Sequence, residues 1–268
     1  MLLTGRVAII TGGAVGMGRS TALKFADEGC SVVIADTSTA SGKKTTEEVL
    51  RKGREGLFVH CDITSSHQVR NMVDEAITKF GKVDILVNNA GGTLGIKGGS
   101  IDNATEEDWD KILNLNLKGA FLACKAVVPH MKAKRYGKII NLSSMGAVHP
   151  SVSVLHYHSA KAGIIGLTYN LAFELAPFNI CVNAIVPGPV ATPFWDLITA
   201  GMPDKEAFFT ALAKKEVPLG RIGTPEDIAG PALFLASELS AYVSGQIIFA
   251  AGGQPMLSQA ATFLSSNP

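Results

Sequence analysis

Short apolar runs alternate along this chain with longer stretches of helical period. Residues 6–11, Arg-Val-Ala-Ile-Ile-Thr, are β-branched and too apolar for a half-exposed strand, and they lead into Gly12-Gly13-Ala14-Val15-Gly16-Met17-Gly18. That is the pattern of a buried parallel strand entering a glycine turn. Residues 17–28 then place Ala22, Leu23, Phe25 and Ala26 at helical spacing and stop at Gly29, as a helix does at a left-handed cap. The alternation continues, with strands predicted at 31–35, 57–60, 83–87, 138–142, 180–186 and 246–249. Helices are predicted at about 40–52, 66–80, 106–134, 154–176 and 225–237. Seven strands and six helical stretches in this order predict an α/β fold, a doubly wound sheet of about seven parallel strands with helices on both faces. No linker, charge run, low-complexity tract or short repeat divides the 268 residues, so a single domain is expected, with 190–220 as a substrate lid.

Composition narrows the partners. A formal net charge of +1, with 18% of residues charged, offers no field for nucleic acid or an acidic membrane. Cys30, Cys61, Cys124 and Cys181 are scattered without a Cys-x-x-Cys pair, so no metal site or disulfide framework is expected and a reducing, cytoplasmic setting is. Residues 1–5 lack the basic region and apolar core of a signal peptide, and no apolar stretch approaches the roughly 18 to 20 uninterrupted residues of a spanning helix. Hydrophobic residues make up 47%, which predicts much buried strand and apolar subunit contacts, hence a homo-oligomer.

Two stretches carry chemistry. Gly12, Gly16 and Gly18 follow the spacing G-x-x-x-G-x-G between a strand and a helix, which lets backbone amides approach a pyrophosphate and aims a helix N-terminus at its charge. Asp36 ends the second strand 18 residues past Gly18, where a carboxylate accepts from adenosine ribose hydroxyls. It would repel a 2′-phosphate at about 4 Å by roughly 1 kcal/mol in water and about 4 kcal/mol at an intermediate dielectric, so NAD is expected over NADP. Arg19, just beyond the turn, is the residue that weighs against this; the alternative for Asp36 is a cap on the next helix. In the second stretch, Tyr157 and Lys161 stand four residues apart in a helical run and share one face. A cation beside a phenol favours the phenolate and readies it to trade a proton with an alcohol or carbonyl.

Together with Asp62-Ile63, Asn88-Asn89-Ala90-Gly91, Asn116, Ser144, Pro187-Gly188 with Thr192, and Gly252-Gly253, these motifs resemble the short-chain dehydrogenase/reductase family over nearly the whole chain. The resemblance implies a Rossmann-type subunit, hydride transfer with a nicotinamide cofactor, and a homotetramer or dimer paired through helices 106–134 and 154–176. It implies cofactor contacts at Gly12, Gly16, Met17, Gly18 and Asp36, and adenine contacts at Asp62 and Ile63. Asn89, Ala90 and Gly91 would meet the adenosine side and sheet centre, Tyr157 and Lys161 the nicotinamide ribose, and Pro187, Gly188, Val190 and Thr192 the carboxamide end. Ser144 has the family's spacing, 13 residues before Tyr157, and is the expected catalytic serine, with neighbouring Ser143 supporting the turn. The Ser144 hydroxyl would bond the substrate oxygen, Tyr157 transfer the proton, Lys161 lower the Tyr157 pKa, and Asn116 hold a water that relays protons. Ala251 and Cys181 depart from the family pattern, where an acidic and a basic residue are common, and are expected to bear on subunit contacts.

Substrate contacts are expected from Ser144, Met145, His149, Tyr157, Phe194 and Trp195. Leu94, Ile96, Leu197 and Ile198 add apolar lining and Lys97 a possible charge, whereas His156 and His158 point away from Tyr157 and are expected to be structural. The small-molecule substrate expected is a mostly apolar secondary alcohol or its ketone, cyclic, aromatic or steroid-like. A 3-oxoacyl-carrier-protein reductase is the alternative, opposed by Asp36 and by a basic cluster limited to Lys132, Lys134 and Arg135. A non-catalytic nucleotide-sensing module is opposed by the intact Asn116, Ser144, Tyr157 and Lys161 set.

Overall fold

The computed structural model describes residues 1–96, 99–149, 154–196 and 199–254. Its framework is a sheet of seven parallel strands in the order β3-β2-β1-β4-β5-β6-β7. The strands are β1 (Val7–Thr11), β2 (Ser31–Asp36), β3 (Gly56–His60), β4 (Ile85–Asn88), β5 (Gly137–Leu142), β6 (Ile180–Pro187) and β7 (Ile247–Ala250). Because side chains alternate across a strand, Ala8 and Ile10 enter one core layer while Ile9 enters the other. The first layer lies under α1 (Gly16–Asp27) and α8 (Pro225–Ala236), with Phe25 against Ile228, Ala232 and Leu235. The second lies under α3 (Ser66–Phe80), α5 (Gly119–Lys134) and α6 (Leu155–Leu175), where Met72, Val127 and Leu175 close over Val33, Leu86 and Ile139. A sheet buried on both faces accounts for the nearly continuous apolar strands. Strand order reverses between β1 and β4, and the carboxyl ends of those two strands mark where a ligand crevice opens.

Two elements differ from the sequence expectation. The run Glu106–Lys134 is not one regular helix: α4 (Glu106–Leu113) passes through a π-helical turn at Asn114–Lys118 before α5 begins. At the turn the Asn116 amide donates to the backbone oxygens of Ile112 and Gly92, at 3.0 and 2.8 Å, so a loop outside the helix holds the bulge in place. Hydrophobic periodicity averages over such a bulge. This same run is long and apolar enough to cross a membrane by length and composition, with 39% of its most apolar window buried. It carries Lys118 and Lys125 and packs Ala123, Val127 and Met131 onto the sheet. The second difference lies in the expected lid, which contains α7 (Lys205–Glu216) after α2 (Thr39–Arg51) and the others named. Asp204 caps α7 by accepting from Ala207 N at 2.8 Å, a start signal legible in the sequence.

Candidate functional site

The glycine turn is shaped by backbone that L side chains avoid. Gly12 and Gly16 have φ of +63° and +55°, and a Cβ on Gly12 would come within 2.8 Å of Ala90 Cα. At Gly18 a Cβ would collide with Gly12 O, so α1 starts close against the turn and turns its N-terminal amides outward. The end of β4 is stitched to this turn: Asn89 Nδ2 donates to Thr11 O and Gly12 O at 3.0 and 2.9 Å, and Asn89 N donates to Thr11 Oγ1 at 3.1 Å. Asp36 does not serve as the side-chain cap of α2. One of its carboxylate oxygens accepts from Ala14 N in the glycine turn at 3.1 Å and the other from Ser38 N at 2.9 Å. Arg19 pairs with Glu48 at 2.6 Å. Asp62 accepts from Thr64 N and Oγ1 at 2.9 and 2.8 Å, and Ile63 packs where Gly119 leaves no room for a side chain.

At the other end β5 delivers Ser143 and Ser144, and α6 delivers Tyr157 and Lys161. Ser143 is buried and its hydroxyl donates to Lys161 O at 2.8 Å, tying strand to helix. Ser144 is left for the cleft, which it lines together with Tyr157, and its hydroxyl accepts from Gly146 N at 3.1 Å. Lys161 is 4% exposed; its Nζ donates to Leu142 O at 2.8 Å and lies 5.7 Å from the centre of the Tyr157 ring. A Cβ on Gly91 would fall 2.6 Å from Asn116 Oδ1 and 3.1 Å from Lys161 Nζ, so Asn116, Gly91 and Lys161 meet at one point. Asn116 Oδ1 accepts from Gly92 N at 2.9 Å, which commits its amide to the Gly92 loop.

Electrostatics here run opposite to the simple expectation for the tyrosine. Burial raises the Tyr157 pKa, and the Ser144 hydroxyl is what works against the rise. Burial pushes Lys161 down to about 8, and Lys161 is not among the groups that lower the phenol. Ser144, not Lys161, is the group that favours the phenolate in this structure.

A cleft of about 1690 Å³ joins the two ends. Gly12, Gly16, Met17, Asp36, Asp62, Ile63, Asn89, Ala90 and Gly91 line one part of it; Lys161, Pro187, Gly188, Val190 and Thr192 line the middle. Ser144, Met145, His149, Tyr157, Phe194 and Trp195 line the remainder, whereas Gly18 and Asn116 are set behind the walls. The Phe194 ring stands 6.0 Å from Tyr157, and Trp195 donates from Nε1 to Val190 O at 2.8 Å while packing against Phe208 and Phe209 of α7. His158, expected to be structural, lines the cleft with its ring 6.0 Å from that of Tyr157, while His156 is fully buried. Gln254 and Glu216, neither singled out from the sequence, also line the cleft. Lys97, Leu197 and Ile198 lie outside the described residues. Cys181, buried on β6, receives Lys138 Nζ at 3.6 Å, and Ala251 is buried against Gly188, so both departures from the family pattern sit inside the subunit.

Known proteins are similar to this chain in sequence and in fold. A family model described as enoyl-(acyl carrier protein) reductase matches residues 12–254. The chain is 40% identical to (2S)-[(R)-hydroxy(phenyl)methyl]succinyl-CoA dehydrogenase subunit BbsD of Thauera aromatica, over 96% of this chain and 99% of that protein. It is 42% identical to the 3-oxoacyl-[acyl-carrier-protein] reductase FabG of Thermotoga maritima, over 94% of this chain and 99% of that one. The solved structure of levodione reductase superimposes with a TM-score of 0.87 at 31% identity, covering 95% of this chain and 99% of its own. Relatives this similar over almost their full length, and a reductase that shares the sheet, establish that the chain belongs to the short-chain dehydrogenase/reductase family of nicotinamide-dependent oxidoreductases.

Proposed function

We propose that this protein transfers a hydride between NAD(H) and a mostly apolar secondary alcohol or its ketone. The observation that carries the reading is a single cleft lined by Asp36 at one end and by Ser144 and Tyr157 at the other, with Lys161 between them. The residues fit the coenzyme: a cradle at Gly12 and Gly16 that Cβ atoms would fill, and a helix N-terminus for the pyrophosphate. The Asp36 carboxylate is fixed by two backbone amides and still has lone pairs for ribose hydroxyls. Arg19, the cation that weighed against NAD, is engaged by Glu48. Bound NAD supplies the hydride acceptor. Ser144 then donates to the substrate oxygen and holds it beside Tyr157, which as the phenolate takes the alcohol proton in oxidation and as the phenol gives its proton in reduction, and Asn116 fixes the Gly91–Gly92 loop against Lys161. Phe194, Trp195 and Met145 exclude water from that end.

A second reading, oxidation or reduction at the β-carbon of an acyl thioester, is favoured by the names of the two relatives, one acting on a hydroxy(phenyl)methyl-succinyl-CoA and one on a 3-oxoacyl carrier. Turnover of cyclic and aromatic alcohols and of 3-hydroxyacyl-CoA, each with NAD and with NADP, separates the readings; oxidation confined to small hydrophilic polyols sinks both. Tyr157→Phe is expected to lower turnover at least ~100-fold, and a loss of only a few-fold removes Tyr157 from the chemistry. We further propose a homotetramer or dimer paired through α4–α5 and α6, where Phe121, Tyr169 and Phe173 stand exposed, in a cytoplasmic setting that suits four buried free thiols.

A further inference from the structure

Gln254 follows the turn after β7, and its side chain reaches into the cleft. Its amide nitrogen faces a carboxylate, Glu216 Oε2 at the end of α7, at 3.4 Å. A carboxylate only accepts, so this contact sets which way the amide lies and turns the carbonyl oxygen the other way. That oxygen, Oε1, is buried and has no hydrogen-bond partner among the described residues. It sits over Gly188, within 3.0 Å of where a Cβ would stand, in the loop that carries Val190 and Thr192. A buried acceptor left unpaired costs free energy, and such groups are retained where something else fills them. The same turn is the seat of the lid: Leu219 N donates to Gly252 O at 3.1 Å, Val217 packs on Gly252 and Pro218 on Gly253.

We infer that Gln254 is a ligand-positioning residue. Its carbonyl accepts a hydrogen bond from an N–H or O–H donor on the molecule bound at the Gly188 end of the cleft, and its amide nitrogen passes that contact to Glu216, so that a bound donor fixes the last turn of α7. The inference rests on reading the cleft as a nicotinamide and alcohol site. The donor is either the primary amide of the nicotinamide ring or a second polar group on the substrate. No proton or hydride passes through Gln254.

Gln254→Met keeps the length of the side chain and removes the acceptor. Calorimetric Kd values for NAD, 3-acetylpyridine adenine dinucleotide, which lacks the amide N–H, and ADP-ribose, which lacks the ring, test the first source. If the nicotinamide amide is the donor, the variant weakens NAD about 5- to 10-fold and leaves the other two unchanged. If the substrate supplies the donor, all three Kd values hold. The variant then raises KM for the N-acetylcysteamine thioester of 3-hydroxybutyrate, which carries an amide N–H, by a similar factor, and leaves KM for ethyl 3-hydroxybutyrate alone. The thermal midpoint of the ligand-free variant is expected to equal or exceed that of the wild type, since an unpaired buried acceptor has been removed. The inference is overturned if the variant alters all five ligands alike or none of them, or if it lowers the ligand-free midpoint, as loss of a structural contact does. Failure of NAD to bind the wild-type protein overturns the coenzyme reading and this inference with it; normal NAD binding with a flat variant response overturns this inference alone.

Discussion

Lys161 is held in the fold at the expense of stability, and replacing it tests this directly. The ammonium is 4% exposed, bonds one backbone oxygen, and is pushed by burial from 10.5 down to about 8. Below pH 8 both folded and unfolded chains hold the proton, and the folded state bears the full cost of the buried charge. Between about 8 and 10.5 the unfolded chain binds a proton that the folded chain has released, so stability rises with pH through that window; above it the cost is gone. A shift of this size corresponds to about 3 kcal/mol at neutral pH. Lys161→Met removes the charge at similar length and gives up the bond to Leu142 O, worth about 1 kcal/mol. The ligand-free variant is therefore expected to be more stable than wild type by about 2 kcal/mol at pH 7, or about 4–8 °C in Tm, while alcohol oxidation is largely lost. Urea unfolding of both proteins at pH 7 and pH 10 measures it. A variant less stable than wild type at pH 7, or a difference that does not shrink toward pH 10, refutes the reasoning.

Other residues make separate predictions. Asp36→Ser removes the carboxylate held against the glycine turn and should shift the ratio of NADP to NAD kcat/KM by at least ~5-fold toward NADP, from a repulsion of about 1–4 kcal/mol; a ratio within two-fold of wild type denies Asp36 the role. Asn116→Ala deletes three hydrogen bonds at a buried π-turn and should destabilise the protein by about 3 kcal/mol in chemical denaturation. A cost below 1 kcal/mol means the bulge does not depend on that side chain. Phe173→Glu, on a residue 89% exposed, should leave monomer stability within about 0.5 kcal/mol and lower the mass seen by light scattering; an unchanged oligomer places the interface elsewhere.

The sequence by itself determined the sheet, the glycine turn and the order of the chemistry-bearing motifs. Buried parallel strands must be apolar throughout, and left-handed turns such as those at Gly12 and Gly16 tolerate little else, so each leaves a local mark. The spacing of Tyr157 and Lys161 was likewise legible, because four residues always return to the same helix face. Tertiary structure alone decided the rest. The π-turn at Asn116 is tied to Gly92 in the loop after β4, 24 residues away, and α7 packs Phe208 and Phe209 on Trp195, which is itself bonded to Val190 O. The direction of the Tyr157 pKa followed burial, which no spacing reports, and so reversed the expectation from a neighbouring cation. His158 lines the cleft together with its neighbour Tyr157, since a cleft is wider than one helix stripe. Gln254 became notable only once folding had buried an oxygen without a partner among the described residues. Local periodicity records what each segment buries; contacts between distant segments set which charges lose water and which polar atoms remain for a ligand.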